Sequence, residues 1–460
     1  MMNTGLAFLL LVCSFRAGAA PWRQYANPAD AGYDAAALDA TRTLADDVHS
    51  AAVVAVAGGH LVASWGAVDR KLELHSARKS IYAALWGIAE SRGLVRLEAT
   101  LAELGVDDLQ TLTADERQAR LIDLLHARSG VYHPAAYATS DQEEARPARG
   151  SHARDAFWFY NNWDFNVAGA LLERVTHKPL GILIDDWLAK PLGMEDYVPG
   201  DVFAVLEPHV SQWPALTIRM SARDLARFGQ MWLDRGRWNG RQVVPAAYVE
   251  RASAAASSTG TAGQGYAMMW WTYDAGSVDA KQFPHASRVR VLLARGLGGQ
   301  VVAVIPEARL VIVHRADTDN GRRVPSSAVW SVIDGILGAR RAAPKPRARL
   351  VPVRVEPFAS QSAPFVWPAA VALPSQAMSA VIGDYELRPG VIAHVFVADG
   401  RLFASMPGRG EAELFSTSAA DFFVRVDAAT KIHFDLVPGG MASAVHVVIG
   451  GKELTARRVK

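Results

Sequence analysis

The stretch His75-Ser76-Ala77-Arg78-Lys79-Ser80-Ile81-Tyr82-Ala83-Ala84-Leu85 decides how the chain is read. Ile81, Ala84, Leu85 and Ile88 recur at i, i+3, i+4 and i+7, which predicts one apolar face of a helix. Ser91-Arg92-Gly93 reads as its stop: a cation in the last turn, then a glycine able to take positive φ. Ser76 and Lys79 are three residues apart at the helix start, so they share a face and the amine can reach the hydroxyl. A serine hydroxyl is a poor nucleophile until a base takes its proton. Lysine serves as that base only if desolvation or a second cation lowers its pKa. The positive end of a helix favours both the neutral amine and the alkoxide. An isolated Ser-x-x-Lys also fits an N-cap serine followed by a surface lysine, so the rest of the chain must decide.

Before this stretch, residues 34–49 read as a helix. Ala51-Ala52-Val53-Val54-Ala55-Val56-Ala57 and His60-Leu61-Val62-Ala63-Ser64-Trp65 flank Gly58-Gly59, the signature of a hairpin. After it, residues 94–104 and 117–125 read as short helical pieces. Residues 133–154 read as a loop region at or near a site. A further helix is expected from about Asn162, with Phe165, Ala168, Leu171 and Leu172 on one face. Tyr160 and Asn162 then stand at a loop-to-helix junction, where side chains can meet a ligand. Helices are also expected at residues 180–188 and 221–235, the second capped by Ser221 with Asp224 near the capping-box position. Tyr266-Ala267-Met268-Met269-Trp270-Trp271 reads as an aromatic strand belonging to the core. Three late strands are expected at residues 288–295, 300–305 and 310–314. Gly296-Leu297-Gly298-Gly299 joins the first two and reads either as a tight turn or as an exposed row of N–H donors.

Residues 339–376 are rich in Pro and Ala and read as a linker. Residues 377–460 show short alternating runs split by turns such as Ala398-Asp399-Gly400, which predicts a small all-β domain. At the other end, residues 5–13 are apolar and lead to Ala17-Gly18-Ala19-Ala20 before Pro21, the pattern of a signal peptide spanning residues 1–20. Export is expected, to the periplasm or beyond, without a transmembrane anchor. The one cysteine, Cys13, lies inside that segment, which leaves residues 21–460 without a thiol for disulfide, metal or catalysis. With 48 basic against 46 acidic residues, nothing in the charge favours a nucleic-acid partner. Gly-x-Ser-x-Gly, His-Glu-x-x-His and the phosphate-loop pattern are all absent from the sequence.

Ser76-x-x-Lys79, Tyr160-x-Asn162 and the Gly-rich turn occur in one order. Together they resemble the serine β-lactamase and penicillin-binding-protein-like superfamily, above all the class C β-lactamase-related hydrolases. That branch includes esterases and 6-aminohexanoate-oligomer hydrolases. Leu124-Leu125-His126-Ala127-Arg128-Ser129-Gly130 resembles a stretch common in the family. The resemblance implies an α+β fold of the β-lactamase/transpeptidase type over residues 28–338: an antiparallel sheet flanked by helices, with a helical subdomain. A small β-barrel-like, lipocalin-like domain follows it.

The resemblance also implies roles. Ser76 matches the acylated nucleophile, Lys79 its base, and Tyr160 the second proton-transfer residue. Asn162 matches a substrate-positioning amide. Ala294-Arg295-Gly296 aligns with the family's Lys-Thr-Gly triad. Arg295 and Gly296 then face substrate, and the backbone N–H groups of Ser76 and Leu297 form an oxyanion hole. Ala294 stands where the family has a cation, a departure that points away from penicillin hydrolysis and toward the esterase branch. The expected substrate is a small ester or amide, or a cell-wall-derived peptide, and no metal or organic cofactor is implied. The alternatives are a β-lactamase or D-alanyl carboxypeptidase, and a non-catalytic penicillin-binding-like sensor.

Overall fold

The computed structural model describes residues 21–356, 366–407, 410–427, 429–438, 440–449 and 451–459. The expected signal segment, residues 1–20, lies outside them.

Gly58 (φ 59°) and Gly59 (φ 80°) turn the chain between strands Ser50–Ala57 and His60–Gly66, where Ala57 faces His60. Both glycines take the positive φ that such a two-residue turn demands. The two strands lie inside a ten-stranded sheet. From one edge its order is Leu350–Pro352, Arg23–Tyr25, His60–Gly66, Ser50–Ala57, Leu310–Ala316, Gln300–Ile305, Val291–Gly296, Trp271–Tyr273, Gln264–Tyr266 and Ser257–Ser258. The pairings are antiparallel except that of Arg23–Tyr25 with His60–Gly66.

Side-chain alternation divides the central strands between two cores. Val54, Val56, Val302, Val304, Val311 and Val313 point to one. Val53, Ala55, Val301, Ala303, Leu310 and Ile312 point to the other. Helices Ala35–Asp47 and Ser326–Gly338 pack together over the second core. Helix Ala222–Leu233 covers the first. It comes so close that a Cβ on Gly229 would lie 2.6 Å from Val311.

The helix of the opening stretch, Arg78–Ser91, is buried at every position from Arg78 to Ala89, not on one face alone. It lies inside the molecule, against the sheet and helices Asn162–Thr176 and Ala246–Ser253. Other expectations need correction. Residues 94–104 form turns, not a helix. The aromatic run at 266–271 is the bend of a short hairpin, with Met269 at φ 58°. Part of the expected linker is a strand: Leu350–Pro352 pairs with Arg23–Tyr25 at the sheet edge.

The C-terminal residues form a nine-stranded antiparallel sheet in which Gly383–Arg388 pairs with Lys452–Arg458. Its two edge strands, Gly410–Glu413 and Phe415–Ser416, are separated in the chain by Leu414 alone, so the sheet curls into a nearly closed barrel. Tyr385, Phe422, Phe434 and Val445 fill it. The chain thus has a largely antiparallel sheet flanked by helices, the arrangement the resemblance implies, followed by an all-β, barrel-like domain. Among the described residues no helix is long and apolar enough to cross a membrane.

Candidate active site

Strand Leu72–Glu73 pairs with Ser211–Met220, and Leu74 N–H donates to Ile218 O at 2.9 Å. The chain then makes a single tight turn, His75–Ala77, which feeds directly into helix Arg78–Ser91. Ser76 therefore sits at the positive end of a buried helix, at the floor of a cavity of about 1240 Å³.

Lys79 is 1% exposed. Its Nζ lies 3.0 Å from Ser76 Oγ, 2.7 Å from Tyr160 Oη and 2.9 Å from Asn162 Oδ1. The rings of Tyr160 and Phe165 have their centroids 4.2 and 4.3 Å from the nitrogen. Burial among these groups, and then the charge of Arg78, hold the amine well below the usual lysine range. A neutral amine has two protons and one lone pair for its three neighbours. Asn162 Oδ1 has no proton to give, so the lone pair must face a hydroxyl, that of Ser76 or of Tyr160. Burial pushes the Tyr160 phenol above its ordinary value, so it stands protonated.

Local sequence explains why these groups converge. Asn161 caps helix Asn162–Thr176: its side chain accepts from Trp163 N–H and donates to Val131 O at 2.7 Å. That fixes Tyr160 just before the helix and Asn162 as its first residue. Trp271 stacks on Tyr160 with centroids 5.4 Å apart and rings 28° from parallel. The aromatic ridge read as core therefore also walls the cavity.

Asn162 lines the cavity, yet its amide is committed to protein groups. Nδ2 donates to Tyr137 O at 3.2 Å and to Gln142 Oε1 at 2.9 Å. Its geometry suits orienting Lys79 as much as touching a substrate. Arg295, Gly296 and Leu297 also line the cavity. The Arg295 guanidinium reaches Tyr273 Oη (3.5 Å) and Ser326 Oγ (3.3 Å), and Ala294 points into the core. A Cβ on Gly296 would lie 2.2 Å from Leu74 O, so only glycine lets this strand end approach the Ser76 turn. Leu297 is half-exposed at the cavity mouth.

Glu73, His75, Arg78, Tyr137, Gln142 and Thr318 also line the cavity and were not singled out in the sequence. For Tyr137 and Gln142 the signal was the unpatterned segment 133–154, and for His75 and Arg78 it was their place in the opening stretch; for Glu73 and Thr318 there was none. Among the described residues no group of three or more His, Cys, Asp or Glu is placed to hold a metal ion.

The family description "Beta-lactamase" matches residues 35–325, more than half of the chain, a span that includes Ser76, Lys79, Tyr160, Asn162 and Arg295 to Leu297. The chain belongs to the beta-lactamase family. It is thus a member of the serine β-lactamase and penicillin-binding-protein-like superfamily, whose members are serine hydrolases. No curated protein is significantly similar to it. Among solved structures, it is similar to an octameric penicillin-binding protein homologue from Pyrococcus abyssi, at 14% identity over 92% of this chain and 100% of that one, with a TM-score of 0.49. It is also similar to a class C beta lactamase from Rhodobacter sphaeroides, at 19% identity over 66% of this chain and 99% of that one, with a TM-score of 0.47. Likenesses this distant say nothing of a substrate.

Proposed function

We propose that this family member is an exported serine hydrolase that cleaves an ester or amide bond through an acyl-enzyme on Ser76. One observation carries the reading: a buried, deprotonation-prone amine, Lys79, lies within hydrogen-bond distance of both the Ser76 and Tyr160 hydroxyls.

In the proposed cycle Lys79 takes the Ser76 proton as Oγ attacks the carbonyl carbon. The resulting oxyanion is held by the backbone N–H groups of Ser76 and Leu297, each donor contributing about 10²–10³ in rate. As the tetrahedral intermediate collapses, the proton passes from Lys79 through Tyr160 to the leaving oxygen or nitrogen. The acyl group stays on Ser76. A water molecule then attacks the acyl carbon, its proton passes along the Tyr160–Lys79 pair to Ser76 Oγ as the bond from that oxygen to the acyl carbon breaks, and the acid is released. Asn162 fixes the amine throughout.

The absence of a cation at Ala294 supports an ester or amide over a β-lactam, because the carboxylate of a penicillin then meets no lysine on that strand. Arg295 is instead held toward Tyr273 and Ser326. A panel of p-nitrophenyl esters, D-amino-acid amides and nitrocefin tests the reading. Turnover of an ester or amide is expected to exceed that of nitrocefin, and Ser76→Ala to lose at least about 10³-fold. Nitrocefin as the best substrate would overturn the substrate class. Export is tested by sequencing the N-terminus of protein recovered outside the cytoplasm: the chain is expected to begin close to Pro21.

A further inference from the structure

His75, directly before the nucleophile, is held at φ 46°. A non-glycine residue in the left-handed region is uncommon, and such strain gathers at functional sites. Glycine would take this position at no steric cost. The side chain must therefore justify itself.

Its ring is bonded on both sides. Nδ1 lies 3.0 Å from Tyr137 Oη, and Nε2 lies 3.0 Å from Thr318 Oγ1. Tyr137 spends its own proton on Glu73 Oε1 at 2.8 Å, so its oxygen is left to accept. Nδ1 must then carry the imidazole proton, and Nε2 accepts from the Thr318 hydroxyl. Burial lowers the His75 pKa, with Glu73 and Asp319 opposing it and Arg78 and Arg315 reinforcing it, which keeps the ring in this neutral form. Thr318 in turn accepts from Gln300 Nε2 at 3.4 Å. Gln300 follows the Gly298-Gly299 turn directly and is braced by Arg315 Nε at 2.6 Å.

The chain of donors runs from Gln300 through Thr318, His75 and Tyr137 to Glu73. It joins the Gly-rich turn, the Ser76 turn and the 133–154 loop, whose Tyr137 carbonyl holds Asn162. We infer that His75 is a positioning residue: its ring clamps the Ser76 turn to the Gly-rich turn and to the Tyr137 loop, fixing the spacing of nucleophile and oxyanion donors. The inference rests on the acyl-enzyme reading and adds a residue to it. Misplacing a reacting group by about 1 Å costs on the order of 10²-fold.

The test compares wild type, His75→Gly, His75→Asn and Thr318→Val in fluorophosphonate labelling rate and, with a chromogenic ester, in kcat and KM. His75→Gly relieves the strain and deletes the ring. Its melting temperature is expected to hold while labelling and kcat fall about 10- to 100-fold and KM stays within about threefold. Asn tolerates positive φ and offers Thr318 an acceptor, so it is expected to recover part of the loss. Labelling of His75→Gly within twofold of wild type overturns the inference. So does a loss that Asn does not improve, or one that appears in KM alone. If His75→Gly fails to fold, Thr318→Val decides: it leaves the backbone alone, a fall of several-fold supports the clamp, and a rate within twofold overturns it. A wild type that takes no label overturns the acyl-enzyme reading and this inference with it. A labelled wild type beside an equally labelled His75→Gly overturns the clamp alone.

Discussion

In the proposed cycle Lys79 is the residue on which the chemistry turns. Its lowered pKa comes first from burial and then from Arg78, a guanidinium fixed by Tyr82 Oη (3.2 Å) and His75 O (3.1 Å). The sign of the pH dependence follows. The base form of Lys79 gains population as pH rises through its lowered pKa, so kcat/KM should show an acid limb and level off well below the ordinary lysine value of about 10.4. Removing the neighbouring cation lets the amine keep its proton longer. Arg78→Met is therefore expected to move that limb to higher pH, measured as kcat/KM against pH; an unmoved limb would assign it to another group. Lys79→Met and Tyr160→Phe are each expected to lose about 10²–10⁴-fold in kcat/KM with substrate still bound. Local spacing put Ser76 within reach of Lys79 and set Tyr160 and Asn162 at a helix start, while the roles expected of them came from the resemblance of the three motifs taken in order. Tyr137 and Thr318 meet His75 from positions far apart in the chain, so no local pattern could announce them.

Among elements, the strand end Val291–Gly296 shows how backbone approach builds the site. Gly296 faces Leu74 O and Ala77 N, the backbone on either side of Ser76. Gly296→Ala forces backbone against backbone, which costs about 1–3 kcal/mol. Thermal unfolding should show the loss, with a larger fall in labelling at Ser76; an alanine variant of unchanged stability and rate would refute the packing argument. The hairpin around Gly58-Gly59 and the late strands could be read from alternation and turn chemistry. The 94–104 segment could not, because apolar spacing there serves burial of turns under Leu97 and Leu101. Burial of every residue from Arg78 to Ala89 was equally hidden, since periodicity reports one face and tertiary packing supplied the others.

For the whole molecule, Glu207 marks where the barrel-like domain meets the hydrolase domain. Its carboxylate accepts from Tyr137 N–H at 2.8 Å and from the backbone N–H of Glu411, while Glu411 holds His209 Nδ1 at 2.8 Å. Burial, with the Glu411 charge adding to it, pushes Glu207 up to about 7. A carboxyl raised on folding binds more protons in the folded state, so its contribution is complete below about 4.5 and is lost as pH rises through about 7. The melting temperature is expected to fall over that window, and Glu207→Gln to flatten the fall; identical profiles would remove Glu207 from the cause. The sequence signalled two domains through composition. It did not signal that Leu350–Pro352 joins the main sheet, because a three-residue edge strand carries too little alternation to stand out.

The most direct measurement is intact-mass spectrometry after brief exposure to a fluorophosphonate, with wild type beside Ser76→Ala. A single adduct that maps to Ser76 and is missing from the variant is the expected result. A folded wild type that takes no adduct, or an adduct that persists in Ser76→Ala, would contradict an activated Ser76 and leave the family fold without its proposed chemistry.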